Sequence, residues 1–371
     1  MPVISQFFTG AKQLHIELIE PVVFLRVDAQ DPSTHVLRGE VSVLFTKPIS
    51  STSVTLKLFG KSSILWPEGI QGGKSIFEET IHEQELILQP ESKSVLKAGL
   101  YRWPFQFFLS NHLPETIEDD RGKVFYYLIA IMHRGGVTHS PLRARRDLLL
   151  LRTPHWSERP PDGAQEQHLS ECDASIRLEK FACSSGTHLP LELSILPRVK
   201  HLTLKSIRVS LTEKRKYTMN QTRRLLSHDF KIKVVEAKSL FDPPQDIQPA
   251  LELENAHISL CDWPVQHRLV LLLPNCDHVN HSSTYSNIHI KHTLKIDIHL
   301  HKDSDFSICF KAPITLLDCR LRDDYDVLPT YQQALLPAEI SEEGLICPQL
   351  SLYKKKKPKK VEVQPPAYED I

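Results

Sequence analysis

The stretch IHIKHTLKIDIHLH, residues 288–301, decides the fold. Ile288, Ile290, Leu294, Ile296, Ile298 and Leu300 share one parity, and His289, Lys291, Thr293, Lys295, Asp297, His299 and His301 share the other. A strand sends alternate side chains to opposite faces, so this run has one dry face and one wet face. Such a strand belongs to an antiparallel sheet packed on a second sheet. His292 alone breaks the pattern, an imidazole where parity asks for an apolar residue.

The alternation recurs along the chain. In SVTLKLFG, Val54, Leu56 and Leu58 oppose Thr55 and Lys57; GEVSVLF, VFYYLIAIM, ASIRLEKFA, LPLELSIL, LKSIRVSLTE, FKIKVVEA, RLVLLLP and FSICFKAPITLL read alike. Turn-rich pieces such as DPPQDIQP and NHSSTYSN separate them, and no segment longer than about ten residues shows helical periodicity with caps. Many short strands at regular spacing predict sandwiches. The polar stretch TPHWSERPPDGAQEQHLSE (153–171), with Pro160, Pro161 and Gly163, interrupts the series. The expected organisation is a first domain over 1–154, a linker over 155–171 and a second domain over 172–320, then a mostly disordered tail over 321–371.

Composition narrows the function. Lysine plus arginine equals aspartate plus glutamate at 45 each, which argues against a nucleic-acid partner. Seven scattered cysteines with no C-x-x-C suit reduced thiols in the cytosol, packed as small hydrophobes. MPVISQFFTGAK lacks the charged and apolar regions of a signal peptide, and no apolar run approaches the roughly 20 residues that span a bilayer. A role at a membrane is therefore expected to come through binding.

Several motifs approach an active site without completing one. EGIQGGKS (68–75) has Glu68 where a phosphate loop needs glycine, and a strand follows it instead of a helix, so a hairpin loop is expected. His82 and Glu83 begin H-E-x-x-H, but Leu86 occupies the second histidine position. Cys261, Cys276, His278 and His281 match no usual zinc spacing, and no metal or cofactor is expected. No G-x-S-x-G or G-x-G-x-x-G sequence is present, so the reading is non-enzymatic.

Four stretches carry a family resemblance: HVLRGEVSVLFTKPISSTSVTLKLFGKSSILWPEG (35–69), AGLYRWPFQFFLSNHLPETIE (98–118), VFYYLIAIMHRGGVTHSPLRARRDLLLLRTP (124–154) and SNIHIKHTLKIDIHL (286–300). Together they resemble the fungal α-arrestins, the arrestin-related trafficking adaptors. The resemblance implies an all-β fold of two arrestin-like, immunoglobulin-type sandwiches in tandem, in agreement with the strand count. It also implies an adaptor that recruits a HECT-type ubiquitin ligase, through the ligase's WW domains, to membrane permeases or receptors destined for endocytosis. The cytoplasm, with peripheral residence at plasma membrane and endosomes, is the expected location.

The ending KPKKVEVQPPAYEDI (357–371) fits that role physically. Pro365, Pro366 and Tyr368 form P-P-x-Y. Adjacent prolines favour polyproline II, so an aromatic-lined groove binds them at small entropic cost, and Tyr368 fills a neighbouring pocket. Leu328, Pro329 and Tyr331, in LPTY, form a second candidate with a weaker polyproline bias, with a strand-to-tail turn as the alternative. Lys354, Lys355, Lys356, Lys357, Lys359 and Lys360 form a solvated run, read as a charged linker, an anionic-lipid contact, a nuclear import signal or ubiquitin acceptors. Arg143, Arg145 and Arg146 are a candidate basic patch or the wet face of a strand. Two alternatives stay open: a retromer-like sorting scaffold without a ligase, and a nuclear WW-binding regulator.

Overall fold

A computed structural model describes residues 14–321, apart from 27–28, 69–72, 91–93, 136–139, 154–163, 220–223, 234–236, 240–256 and 261–264. Among the described residues there is no helix. The first unit holds β1 (Leu14–Leu18), β2 (Val22–Arg26), β3 (Thr34–Phe45), β4 (Ile49–Glu68), β5 (Gly73–Gln89), β6 (Ser94–Leu96), β7 (Gly99–Ser110), β8 (Ile117–Glu118), β9 (Gly122–Arg134) and β10 (Leu142–Thr153). The second opens with β11 (Ala164–His168), β12 (Cys172–Leu178), β13 (Ala182–Ser184), β14 (His188–Pro197), β15 (Thr203–Met219) and β16 (Arg224–Lys233). It closes with β17 (Ala237–Ser239), β18 (Ile258–Ser259), β19 (Val265–Leu272), β20 (Ser283–Thr284), β21 (Ile288–His301) and β22 (Asp305–Leu317).

The two units repeat one plan. In the first, a sheet ordered β1-β3-β7 faces a larger one ordered β2-β10-β9-β4-β5. In the second, β11-β12-β14-β19-β17 faces β13-β22-β21-β15-β16. Each large sheet is antiparallel except at one edge, where a short strand runs parallel to the last long one: β2 along Leu149–Thr153, and β13 along Thr315–Leu317. The dry parities of the strands fill two cores. Leu37, Val41, Val54, Leu56, Leu58, Leu128 and Leu150 anchor the first, and Leu189, Leu191, Leu193, Leu211, Ile296, Ile298 and Leu300 the second. Cys172 is buried in the second core, and burial pushes its thiol up to about 11, so it packs as an unreactive small hydrophobe.

Two expectations about boundaries need correction, and the polar exception in β21 has a structural reason. Alternation runs unbroken through Ile288–His301, and His292 occupies a buried position opposite Glu213 on β15. A buried polar group is tolerated where it is hydrogen-bonded, and Glu213 supplies the bond.

The interval 155–171 is not all linker, since Ala164–His168 forms β11 against β12. Its AQEQH sequence lacks apolar alternation because β11 is an edge strand that closes the sandwich with side-chain amides. Gln165 Nε2 donates to the Lys311 carbonyl at 2.7 Å and Gln167 Nε2 to the Cys309 carbonyl at 2.9 Å, both on the opposite sheet. Finally, Leu321 belongs to the folded body, buried against Val22 and Leu151. Of EGIQGGKS, Glu68 ends β4 opposite Gly73 at the start of β5, and residues 69–72 lie outside the described residues.

The two units share packing where they meet. Tyr217, Ile288 and Ile290 of the second unit are buried within the first unit's core cluster. Gly122 allows this approach: a Cβ there would lie 2.8 Å from Ile288 Cδ1 and 3.1 Å from Tyr217 Cε1. Overfilling a close-packed contact costs about 1–3 kcal/mol. Gly122→Val is therefore expected to lower the unfolding free energy by about that amount, measured by urea denaturation with two probes, one per domain.

Candidate functional site

The feature that organises the molecule is a polar seam between the units, built on the segment PETIEDD (114–120) of the first. That segment is pinned from several sides. Ile117 is buried in the core and β8 pairs with Lys123 and Val124. Thr116 N–H donates to the Leu150 carbonyl at 2.8 Å, and Leu150 N–H returns a bond to Thr116 Oγ1 at 3.0 Å. Tyr126 O–H caps Pro114 O at 2.7 Å. So held, the segment presents Glu115, Glu118 and Asp119 to the second unit.

Asp119 is the hub of one branch. Its carboxylate accepts from Arg215 Nη1 at 2.6 Å and Asn280 Nδ2 at 2.8 Å, and also from the Tyr217 hydroxyl. Beside it, Glu213 accepts from Asn280 N–H at 2.7 Å, Arg215 Nε at 2.5 Å and His292 Nε2 at 3.0 Å. Ser282 Oγ, 2.8 Å from His292 Nδ1, accepts from Leu316 N–H, so its own proton is free for the imidazole. The side chains of Asp119, Glu213 and His292 are all 0% exposed. Burial alone would raise the Glu213 pKa, but the His292 hydrogen bond and the Arg215 charge outweigh it and hold the carboxyl below its ordinary range. For His292 burial wins over the Glu213 carboxylate, and the imidazole stays neutral below the ordinary histidine range.

A second branch lies alongside. Arg152 Nε meets Glu115 Oε2 at 3.0 Å within the first unit, and the Ser283 hydroxyl of the second also bonds Glu115. Arg320 binds Asp318 at 2.6 Å and reaches Glu118 across the seam at 3.5 Å, with His281 3.7 Å from Asp318. Burial raises Glu118, whereas Glu115 and Asp318 sit low because nearby cations outweigh their desolvation. Asn287 Nδ2 adds a bond to Glu79 Oε2 of β5 at 2.9 Å. These directional bonds fix how one sandwich sits on the other.

Next to the seam lies a cleft of about 600 Å³, lined by both units. Leu151 and Arg152 come from the first; Leu178, Phe181, Ile314 and Leu316 from the second.

Sequence reasoning missed the seam, although LTEKRKYTM carries its signal: Glu213, Arg215 and Tyr217 share the dry parity of Leu211. Of the residues singled out in the sequence, Pro365, Pro366, Tyr368, Leu328, Pro329, Tyr331 and the lysines 354–360 lie outside the described residues. Cys261 does too, and among the described residues no group of three or more His, Cys, Asp or Glu could hold a metal.

The three arginines do not form one patch. Arg143 and Arg145 share the exposed face of β10, and Arg146 takes the opposite parity. Arg145 pairs with Asp147 at 3.0 Å and lies 4.1 Å from the centre of the Tyr127 ring, which stacks with Phe59 and Phe125. On the same sheet β5 is the edge strand among the described residues, its Glu85 paired with Lys57 at 3.0 Å and its Glu78 with Lys61. Basic charge on this face is therefore largely balanced.

The family models place the same two units. The arrestin (or S-antigen) N-terminal domain matches residues 26–152, and the C-terminal domain matches residues 171–321. The chain belongs to the arrestin family. A putative arrestin-related trafficking adapter of Schizosaccharomyces pombe is 24% identical over 88% of this chain and 58% of its own length. Another from the same yeast is 22% identical over 88% of this chain and 73% of its own. A probable HECT-type ubiquitin ligase-interacting protein of Aspergillus oryzae is 25% identical over 64% of this arrestin and 44% of its own length. This arrestin thus spans roughly half of some of the curated relatives it matches.

Removing one partner of a buried ion pair leaves an uncompensated charge, at a cost of about 3–5 kcal/mol. Asp119→Ala is expected to lose that much in urea denaturation, with part regained in Asp119→Ala, Arg215→Met. The pH dependence has two stages. A histidine with a depressed folded pKa makes stability fall as pH drops through its ordinary value of about 6.5, because the unfolded chain binds more protons. His292, together with His82, His267 and His289, is so placed. Glu115, Glu213 and Asp318, all depressed, contribute stability that is lost as pH falls below about 4, with Glu118 opposing. Urea midpoints are expected to fall between pH 7.5 and 5.5, less steeply in His292→Gln, and to fall again towards pH 3.

Proposed function

We propose that this arrestin is a non-enzymatic adaptor that brings a HECT-type ubiquitin ligase to membrane permeases or receptors, promoting their ubiquitination and endocytic sorting. The observation that carries the reading is the P-P-A-Y sequence at 365–368 on a chain with two arrestin domains, whose relatives include proteins named for HECT-ligase interaction. Pro365 and Pro366 supply the polyproline ridge for a WW groove, and Tyr368 enters the adjoining pocket. Catalysis belongs to the ligase. The adaptor raises the ligase's effective concentration near cargo lysines.

Leu328, Pro329 and Tyr331 serve as a second, weaker WW site. The 33 residues 332–364 between the motifs span roughly 30 Å as a flexible chain, enough for tandem WW domains to engage both. The sandwiches grip cytoplasmic segments of the cargo by strand addition at an edge or through a sheet face. The lysines 354–360 add attraction to an anionic leaflet of about 1 kcal/mol each near the surface. The protein then resides in the cytoplasm, at the periphery of plasma membrane and endosomes.

Titration of the full chain with isolated and tandem WW domains tests the ligase arm. Tyr368→Ala is expected to weaken binding of a single WW domain at least tenfold, and Tyr331→Ala to matter chiefly with tandem domains. Undiminished binding of the double variant rejects the assignment.

A further inference from the structure

The described chain leaves the second sandwich at the rim of the interdomain cleft. Leu317 and Asp318 line the cleft, and three residues later Leu321 is 2% exposed, packed on Val22 and Leu151 of the first unit. The exit is clamped. Leu321 N–H donates to the Asp318 carbonyl at 2.9 Å, Ser184 Oγ donates to the Leu321 carbonyl, and Arg320 bonds Asp318 and reaches Glu118. The described chain therefore ends beside a cleft of about 600 Å³ whose apolar lining includes Leu178, Phe181, Ile314 and Leu316.

The sequence that follows suits such a site. In RDDYDVLPTYQQALLP (322–337), Tyr325, Val327, Leu328 and Tyr331 supply large apolar groups within seven residues, with no lysine and with acids at 323, 324 and 326. The cleft is apolar inside and carries Lys291, exposed, on its lining, whereas Arg152 and His281 on the same lining are paired with Glu115 and Asp318. The apolar walls suit the large apolar groups of the segment, and Lys291 offers a charge to its acids. Reach is no obstacle, because four to ten extended residues cover about 14–35 Å.

We propose that residues 325–331 fold back into this cleft and cover Leu328, Pro329 and Tyr331, so that the LPTY motif is withheld until the segment is displaced. The docking stands on the cleft and the clamped exit; its meaning as WW control rests on the ligase reading above. A short tether gives an effective concentration in the millimolar range. An intrinsic dissociation constant of about 0.1 mM then keeps the segment docked about nine-tenths of the time. A WW domain that needs the free form is weakened by the same factor, about tenfold. The inner motif is thereby conditional and the outer one, PPAY, is not.

Two measurements separate the docking from its consequence. With benzoylphenylalanine in place of Val327 in the full chain, irradiation is expected to yield intramolecular crosslinks to peptides bearing Phe181 or Ile314. Crosslinks that fall elsewhere on the chain, or only on other molecules, overturn the docking. In a Tyr368→Ala chain, affinity for an isolated WW domain is expected to be about tenfold below that of a free peptide of residues 322–336. Phe181→Asp should close that gap, and Val327→Asp should do so without touching the folded body. Equal affinity of chain and peptide overturns the withholding. Absence of WW binding by both rejects the ligase reading for LPTY and removes the withholding with it, while the crosslinks still decide the docking.

Discussion

The relation between the two sandwiches depends on a carboxylate that has no access to water. Asp119 projects from the first unit and is satisfied by Arg215, Tyr217 and Asn280 of the second. Apolar contacts such as Ile288 over Gly122 bring the units together but tolerate sliding. A buried charge does not, because any shift that lengthens its hydrogen bonds exposes the cost of desolvating it. The seam thus converts a loose adhesion between two β-sandwiches into a single geometry. His292 and Glu213 extend the network into the second core, so the network's protonation and the orientation of the units are linked.

Much of the fold was legible because sheet proteins write burial with a period of two. Ile288 to Leu300, Val54 to Leu58 and Leu189 to Ile195 declare their dry faces outright. The illegible parts are those where a second constraint overrides parity. AQEQH reads as loop because an edge strand held by glutamine amides has no apolar face to show. His292 reads as an exception to the apolar pattern because its partner, Glu213, lies 79 residues earlier in the chain. Glu213, Arg215 and Tyr217 carried the seam in plain view as ionisable groups on a dry parity, but parity alone does not say what opposes them. The proposed docking motifs at 328–331 and 365–368 lie outside the described residues, so the fold does not bear on them.

The repeated plan of the units explains where the chain can vary. In both, the long central strands are β4 and β9, or β15 and β21, and in both a short strand closes the large sheet in parallel. At the junction Asp119 and Glu118 of the first unit meet Arg215, Tyr217, Asn280 and Arg320 of the second.

Strand β5 carries a last implication. Among the described residues no strand pairs with the outer edge of this seventeen-residue strand, a template on which another strand could grow. Two molecules meeting there would bring Glu78, Glu83 and Glu85 of one against the same row of the other, and like charges so opposed repel. Lys57 and Lys61 temper the row without erasing it. The molecule keeps an edge long enough to be useful, guarded against its own kind by carboxylates spaced along its length.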